Sequence, residues 1–372
     1  MRGIALFVGC LLLCLVLRVA ATAQQRSAFH EVQVNEARSA NLPQTGGSPS
    51  LGENAALDGL VINGSVNNEY PGVFGNRAFA AAGLNAQRER QLDEAFKSDH
   101  PTTDFPISLA INYFQRNRAE YFVPVTVRIG SSHGLTFRPG RSVMDFVAEI
   151  RGAGGAIVQR LRDEIDLTLS DDTVRDLAAR PIVYDTGFSL FPGQYTIKFL
   201  AREQTTDRIS TVEVAFTVPN LSREEHAIPI SSVILSTQQL ERRDALYSVP
   251  LMPNGQPASP LMDGDKKLIP AVTRVFSRGR SLFVYLQAYG RRPTTTEPVV
   301  AFVTFYRGET RAFETTPLRV VEAIDQSSNA TPIRLSVPLM TLPAGGYNCE
   351  ITVVDPVRQN VALWHDRIIV VD

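Results

Sequence analysis

The sequence predicts an all-β protein built as two tandem antiparallel sandwiches behind a flexible leader and a short helix. Three observations carry this. From Phe105 onward, apolar residues recur at every second position in run after run. Long helical patterns never alternate with these runs, which argues against a parallel sheet. A corner-like stretch, Gly187–Glu203 (GFSLFPGQYTIKFLARE), returns near the end as Leu339–Asp355 (LMTLPAGGYNCEITVVD).

The chain opens with Arg2, an apolar run from Ile4 to Leu17, and Ala21-Thr22-Ala23 before Gln24. This is the charged, apolar and small-residue order of a secretory signal. The run is short for a membrane span and Arg18 interrupts it. Residues 1–23 are therefore expected to be a cleaved signal peptide. The product is expected to be exported (periplasmic, cell-envelope or secreted), with no membrane span after cleavage. Removing residues 1–23 takes away Arg2 and Arg18, leaving 35 basic residues against 38 acidic ones. That balance offers no long-range attraction to nucleic acid. Cys10 and Cys14 leave with the signal, so Cys349 remains as the single thiol and no intrachain disulfide is expected.

Residues 24–76, with NLPQTGGSPSLGEN among them, have neither period and read as a flexible leader. Residues 77–100 form a helical segment, in which Leu84, Leu92, Ala95 and Phe96 share a face and His100-Pro101 ends it. The first sandwich spans 104–219. Within it, a short helix starts at Ser170, uses Val174, Leu177 and Ala178 as its apolar side and stops at Pro181. PNLSREEHAIP (219–229) is the joint, and the second sandwich spans 228–372. GRSVMDFVAEI at Gly140 resembles GRSLFVYLQAY at Gly279, and DEID ending at Asp166 resembles EAID ending at Asp325, as expected for two related domains.

The repeated stretch has a physical reading. Pro192 sets φ and Gly193 permits positive φ, which favours a tight corner. Tyr195 then starts a strand whose odd positions point inward, with its hydroxyl free to bond back to the corner. Pro343, Gly345, Tyr347 and Cys349 form the second copy, and Tyr-x-Cys is also an immunoglobulin spacing. Both corners match the tyrosine-corner logic of immunoglobulin/fibronectin-III-like sandwiches. Cys349, lacking a partner, reads as a small buried filler.

A search for chemistry leaves little. His30, His100, His133, His226 and His365 form no metal-ligand spacing. Ser132 and His133 are adjacent, so their side chains diverge. DGDKK at Asp263 reads as a solvated turn, not a calcium loop. Asp166–Ser170 (DLTLS) superficially resembles a D-x-S-x-S metal site but lacks the α/β context such a site needs. Asn63, Asn220 and Asn329 head short glycosylation-type triplets. No catalytic, cofactor-binding or metal residue is assigned, and no cofactor is expected.

The segments LDEAFKSDHPTTDFPISLAINYFQRNRAEYFVPVTVRIGSS, YDTGFSLFPGQYTIKFLARE, ISSVILSTQ, GDKKLIPAVTRVFSRGRSLFVYLQAYG and LPAGGYNCEITVVD, spread over Leu92–Asp372, resemble a known family. It is the C-terminal region of bacterial von Willebrand factor A-related proteins of the acidobacterial type. This chain departs from that pattern in lacking the von Willebrand domain and its metal site. The resemblance assigns no catalytic residue. The leading expectation is an exported non-catalytic binding or scaffolding module for an unknown protein or cell-envelope partner. The rivals are a carboxylate-based hydrolase using Asp163, Glu164 and Asp166, and a truncated partner of a separate von Willebrand-domain protein.

Overall fold

Tyr121–Ile129 (YFVPVTVRI) is apolar on nearly every residue, so it needs cover on both faces. It sits near the middle of a sheet with one face on a hydrophobic core, and its other face meets the second half of the chain. The computed structural model describes residues 60–63, 86–98, 102–130, 135–179, 181–223, 227–241, 259–264, 266–289, 298–320 and 330–372. The expected signal peptide, Ser132, His133 and Asn329 lie outside these residues.

The first sandwich uses β1 (Leu60–Asn63), β2 (Ile107–Ile111), β3 (Phe114–Gln115), β4 (Tyr121–Ile129), β5 (Gly140–Gly152), β6 (Ile157–Leu169), β7 (Ile182–Leu190), β8 (Gly193–Glu203) and β9 (Arg208–Val218). One sheet runs β1-β7-β4-β2, with β3 on β4, and the other runs β6-β5-β8-β9. Their inner faces enclose Val125, Val127, Phe146, Ile150, Tyr184, Ile197 and Phe199. Phe146 and Tyr184 stack there with ring centroids 4.1 Å apart.

Helix α1 (Ala86–Lys97) lies on the outer face of the four-stranded sheet, where Leu92 and Phe96 cover Leu200, Val147 and Ile209. Leu84, expected on the same face, is outside the described residues. Helix α2 (Asp171–Ala179) starts where Ser170 was expected to begin it, the Val174 amide donating to the Ser170 carbonyl. Leu177 is buried in the core, Val174 packs against it, and Ala178 is exposed.

The second half contains β10 (Ile234–Ser236), β11 (Gln238–Glu241), β12 (Met262–Asp263), β13 (Lys266–Ile269), β14 (Val275–Ser277), β15 (Ser281–Ala288), β16 (Val299–Arg307), β17 (Thr310–Glu314), β18 (Leu318–Val320), β19 (Thr331–Pro338), β20 (Gly345–Asp355) and β21 (Asn360–Val371). Sheet β10-β15-β19 faces sheet β14-β21-β20-β16-β17 across a second core that holds Val284, Leu286, Val303, Phe305, Tyr347 and Cys349. A small sheet, β11-β13-β12, is inserted between β10 and β15.

The two halves share one plan. Sheet β2-β4-β7 corresponds to β10-β15-β19, and β6-β5-β8-β9 corresponds to β17-β16-β20-β21. This is an all-β fold of two sandwiches that share a plan of three strands against four; β1 and β3 extend it in the first, β14 and β18 in the second.

The topology corrects two sequence readings and adds a parallel edge pair and a polar strand to the rest. The GRS motifs at Gly140 and Gly279 are not equivalent: β5 pairs with the corner strand β8, whereas β15 lies in the sheet opposite β20. Three shared residues at a strand start reflect turn chemistry there and carry no register. Leu60–Asn63, inside the expected leader, pairs in parallel with β7, because an apolar β-branched run can extend an open sheet edge. A second parallel pair, β14 on β21, lies at an edge of the other sandwich. Thr310–Glu314, too polar to read as a strand, is held as one by pairing with β16.

Candidate functional site

The corners are the first sequence-derived feature to place. Tyr195 donates its hydroxyl to the Phe191 carbonyl at 2.8 Å, and Tyr347 donates to the Pro343 carbonyl at 2.6 Å. The accepting carbonyl is four residues back in both copies. Tyr195 and Tyr347, Glu203 and Asp355, and Asp207 and Gln359 are each 152 positions apart. The last pair has φ of 56° in both copies. Glu203 and Asp355 each accept backbone amides of the turn that follows them. The repeat therefore runs from the corner through the whole strand to its capped turn.

Proline is not the common element, since Pro192 stands one place later than Pro343 relative to its tyrosine. The glycines also differ. Gly345 has φ of +146°, which a side chain rarely adopts. Gly193 is not at positive φ; a Cβ there would meet the Tyr195 ring at 3.3 Å, so it leaves room for the ring instead. Tyr347 is buried with Arg307 over its ring, while Tyr195 is half-buried and stacks on Phe216. Cys349 is fully buried, and burial pushes its thiol up to about 12, with Asp366 adding to the effect. These residues form architecture within each half.

The expected carboxylate group does not assemble as a pair. Asp163 and Glu164 are neighbours on β6 and so point to opposite faces. Asp163 is buried and accepts the Tyr184 hydroxyl at 3.1 Å, while Glu164 is exposed. Burial and the Asp163 charge together raise the Tyr184 pKa well above the ordinary tyrosine range. Asp166 lies on the same strand. Among the described residues, no group of three or more His, Cys, Asp or Glu side chains is arranged to hold a metal ion.

Polar and aromatic side chains gather instead at the junction of the sandwiches. DGDKK, expected as a solvated turn, exposes Asp263, Gly264 and Lys266, but Lys267 is almost fully buried. Its ammonium meets the Asp185 carboxylate at 2.5 Å. Asp185 lies on β7, next to the core residue Tyr184, and therefore points away from the first core. Thr126, directly opposite on β4, donates to the other Asp185 oxygen at 2.9 Å. Burying an ammonium without a counter-ion is too costly for the turn reading to hold; the carboxylate of the other sandwich makes it possible.

Beside this pair, Phe114 from the first sandwich packs with Ile234, Leu261, Leu268 and Tyr285 from the second. The Gln115 amide donates to the Tyr289 hydroxyl at 2.9 Å, which donates to Gln287 at 2.8 Å, which donates to the Tyr285 hydroxyl at 2.9 Å. The Tyr113 amide donates to the Ser232 hydroxyl, and the Ser232 amide donates to the Tyr113 carbonyl. The joint follows suit: the Leu221 amide donates to the Tyr121 hydroxyl and Gln115 reaches Ser222, in the triplet headed by Asn220. Burial pushes Tyr113 up to about 12 and raises Tyr289 well above its ordinary value. The junction is thus a desolvated, hydrogen-bonded seam. Sequence reasoning missed it, although Phe283, Tyr285, Gln287 and Tyr289 on alternate positions of one run signal a second covered face.

No family model matches the chain, and no curated protein matches it. Solved structures give partial likenesses. A Bacteroides uniformis β-glucuronidase aligns at 12% identity over 29% of this chain and 13% of its own length, with a TM-score of 0.23. A Salmonella α-2-macroglobulin reacted with methylamine aligns at 6% identity over 72% of this chain and 25% of its own, with a TM-score of 0.26. The chain spans a quarter or less of the length of these proteins.

Proposed function

We propose that this chain is an exported, non-catalytic binding or scaffolding module for a protein or cell-envelope partner. The observation that supports this reading is the junction. Two sandwiches joined by a flexible linker would reorient freely. Here a buried ion pair, a relay from the Gln115 backbone amide through the side chains of Tyr289, Gln287 and Tyr285, and an apolar cluster hold them in one arrangement. A fixed relation between two sandwiches suits a molecule that presents surfaces at set distances.

The groups with chemical potential are committed elsewhere: Asp163 to Tyr184, Cys349 to the second core. A separately encoded von Willebrand-domain protein is the first partner class to try, because the resemblance covers the region that follows such a domain. The test is chemical crosslinking of the purified, processed chain in envelope extract, with identification of the captured protein and measurement of its affinity. A saturable partner is expected. Turnover of a glycan or peptide substrate by the pure protein, with no partner captured, overturns the reading. Export is tested separately, by N-terminal sequencing of the chain from the cell envelope, which is expected to begin at Gln24.

A further inference from the structure

The outer face of each four-stranded sheet can be compared row by row, because the two sandwiches share a plan. In the first, Asp145–Arg202–Ile209, Val147–Leu200–Thr211 and Glu149–Lys198–Glu213 form three cross-strand rows. Three apolar side chains there, Val147, Leu200 and Ile209, are covered by Leu92 and Phe96 of α1. Lys198 anchors the end of that helix: its ammonium donates to the Ser98 carbonyl at 2.9 Å and lies over the Phe96 ring.

The equivalent rows of the second sandwich are Val300–Val354–Val361, Phe302–Thr352–Leu363 and Thr304–Glu350–His365. This face carries five apolar side chains in the same block: Leu363 is 45% exposed, and Val300, Phe302, Val354 and Val361 are half-buried around the buried Thr304 and Thr352. Further along β21, beyond His365 and Arg367, Ile369 is 50% exposed. Both described α-helices belong to the first sandwich, and the junction uses the opposite, three-stranded sheet through Tyr285. The more apolar of two equivalent faces is thus the one on which no described helix lies. A contiguous apolar sheet face rimmed by polar residues marks an interaction site.

We propose that this face, centred on Phe302, Val354 and Leu363, docks an amphipathic helix of a partner protein as α1 docks on the first sandwich. The charge pattern specifies the occupant further. Glu350 stands where Lys198 stands in the first sandwich, with His365 beside it on β21; Glu314, across Thr304 in the same row, is already paired with Arg311, so the charge open to an occupant is that of Glu350. A helix C-terminus, which Lys198 stabilises, is disfavoured at Glu350; a helix N-terminus or a Lys or Arg side chain is favoured there. The occupant is therefore a helix with apolar anchors at i and i+4, as Leu92 and Phe96 are, and with a positive end over Glu350.

This inference rests on the reading of the chain as a binding module, and the test separates the two. The probe is a labelled peptide of residues 84–98, alongside a version carrying Asp93→Lys and Glu94→Lys. Binding to the full processed chain is followed by fluorescence anisotropy and by NMR shifts. The lysine version is expected to bind at least threefold more tightly, with shifts at Phe302, Thr352, Val354 and Leu363. Leu363→Asp, and independently Leu363→Ser with an unchanged melting curve, should weaken it at least tenfold. Glu350→Gln should remove the preference for lysine. Shifts confined to the first sandwich, or no binding, overturn the proposal. A concentration-dependent dimer abolished by Leu363→Asp also overturns it, since a second copy would then occupy the face. If crosslinking captures a partner equally well with Leu363→Asp, the docking face is wrong while the binding-module reading stands.

Discussion

Lys267 Nζ lies 2.5 Å from Asp185 Oδ2, with both side chains shut off from solvent although they come from different sandwiches. Such a pair is weak evidence for stability in itself, because both ions lost their hydration to form it. Its force is in the asymmetry: neither partner tolerates the loss of the other.

Lys267→Met should therefore lower stability by about 3–5 kcal/mol by leaving the Asp185 charge buried without its counter-ion. Lys267→Met combined with Asp185→Leu should recover most of that loss. Urea unfolding of the two single variants and the double variant gives the coupling directly. Additive effects would show that the pair does not hold the junction.

Tyr195→Phe and Tyr347→Phe remove one hydrogen bond each, to Phe191 and Pro343. Each should lower stability by about 1 kcal/mol. Tyr347→Phe should have the larger effect, since Tyr347 is buried and Tyr195 is half-exposed to competing water. Thermal melts measure both, and partner binding should be unchanged. Lost binding with an unshifted melt would give the corners a direct role in recognition.

Glu203 provides a pH signature. Burial raises its pKa, but bonds from the Thr206 hydroxyl and amide, the Ser142 hydroxyl and the Thr205 amide outweigh this and hold it below the usual carboxylate value. A depressed folded pKa contributes stability that is present above the unfolded value of about 4.3 and lost as pH falls through the folded one. Glu203→Gln should be destabilised at pH 7, with its deficit against the parent shrinking below about pH 4. Urea midpoints between pH 7 and 2.5 check this. A deficit that does not change with pH would rule out the carboxylate as its source.

Tyr184→Phe withdraws a donor from the buried Asp163. The expected loss is about 1–3 kcal/mol, the penalty for weakening the satisfaction of a buried charge. Tyr184→Phe together with Asp163→Asn should be less damaging than the sum of the two changes, again by urea unfolding.

Cys349 should be unreactive in the folded state, since burial holds its thiol near 12. Labelling with a thiol reagent at pH 8 should follow the rate of global unfolding. Faster labelling of the native protein would mean that the β20–β21 region opens on its own.

Most strands were legible because a half-buried strand writes its burial into a period of two. β4, β7, β8 and β15 appear where the alternation or the apolar run put them. Both corners were legible because Gly and Tyr hold fixed offsets within one local turn. Thr310–Glu314 was not, because its pairing with β16 supplies what its own side chains lack. The GRS echo misled because three residues at a strand start carry turn chemistry and no register. The candidate site was the least legible part. Lys267 sits in a polar pentapeptide, and nothing local distinguishes a solvated lysine from one whose counter-ion lies 82 positions away.

The sequence by itself determined the all-β sandwich class and the paired tyrosine corners, because these follow from periodicity and turn geometry within short spans. Only the tertiary structure decided which strands are equivalent, how the sandwiches join and which four-stranded face carries a described helix. Those outcomes depend on desolvation and pairing between residues far apart in the chain, where a carboxylate on one domain makes it possible to bury an ammonium on the other.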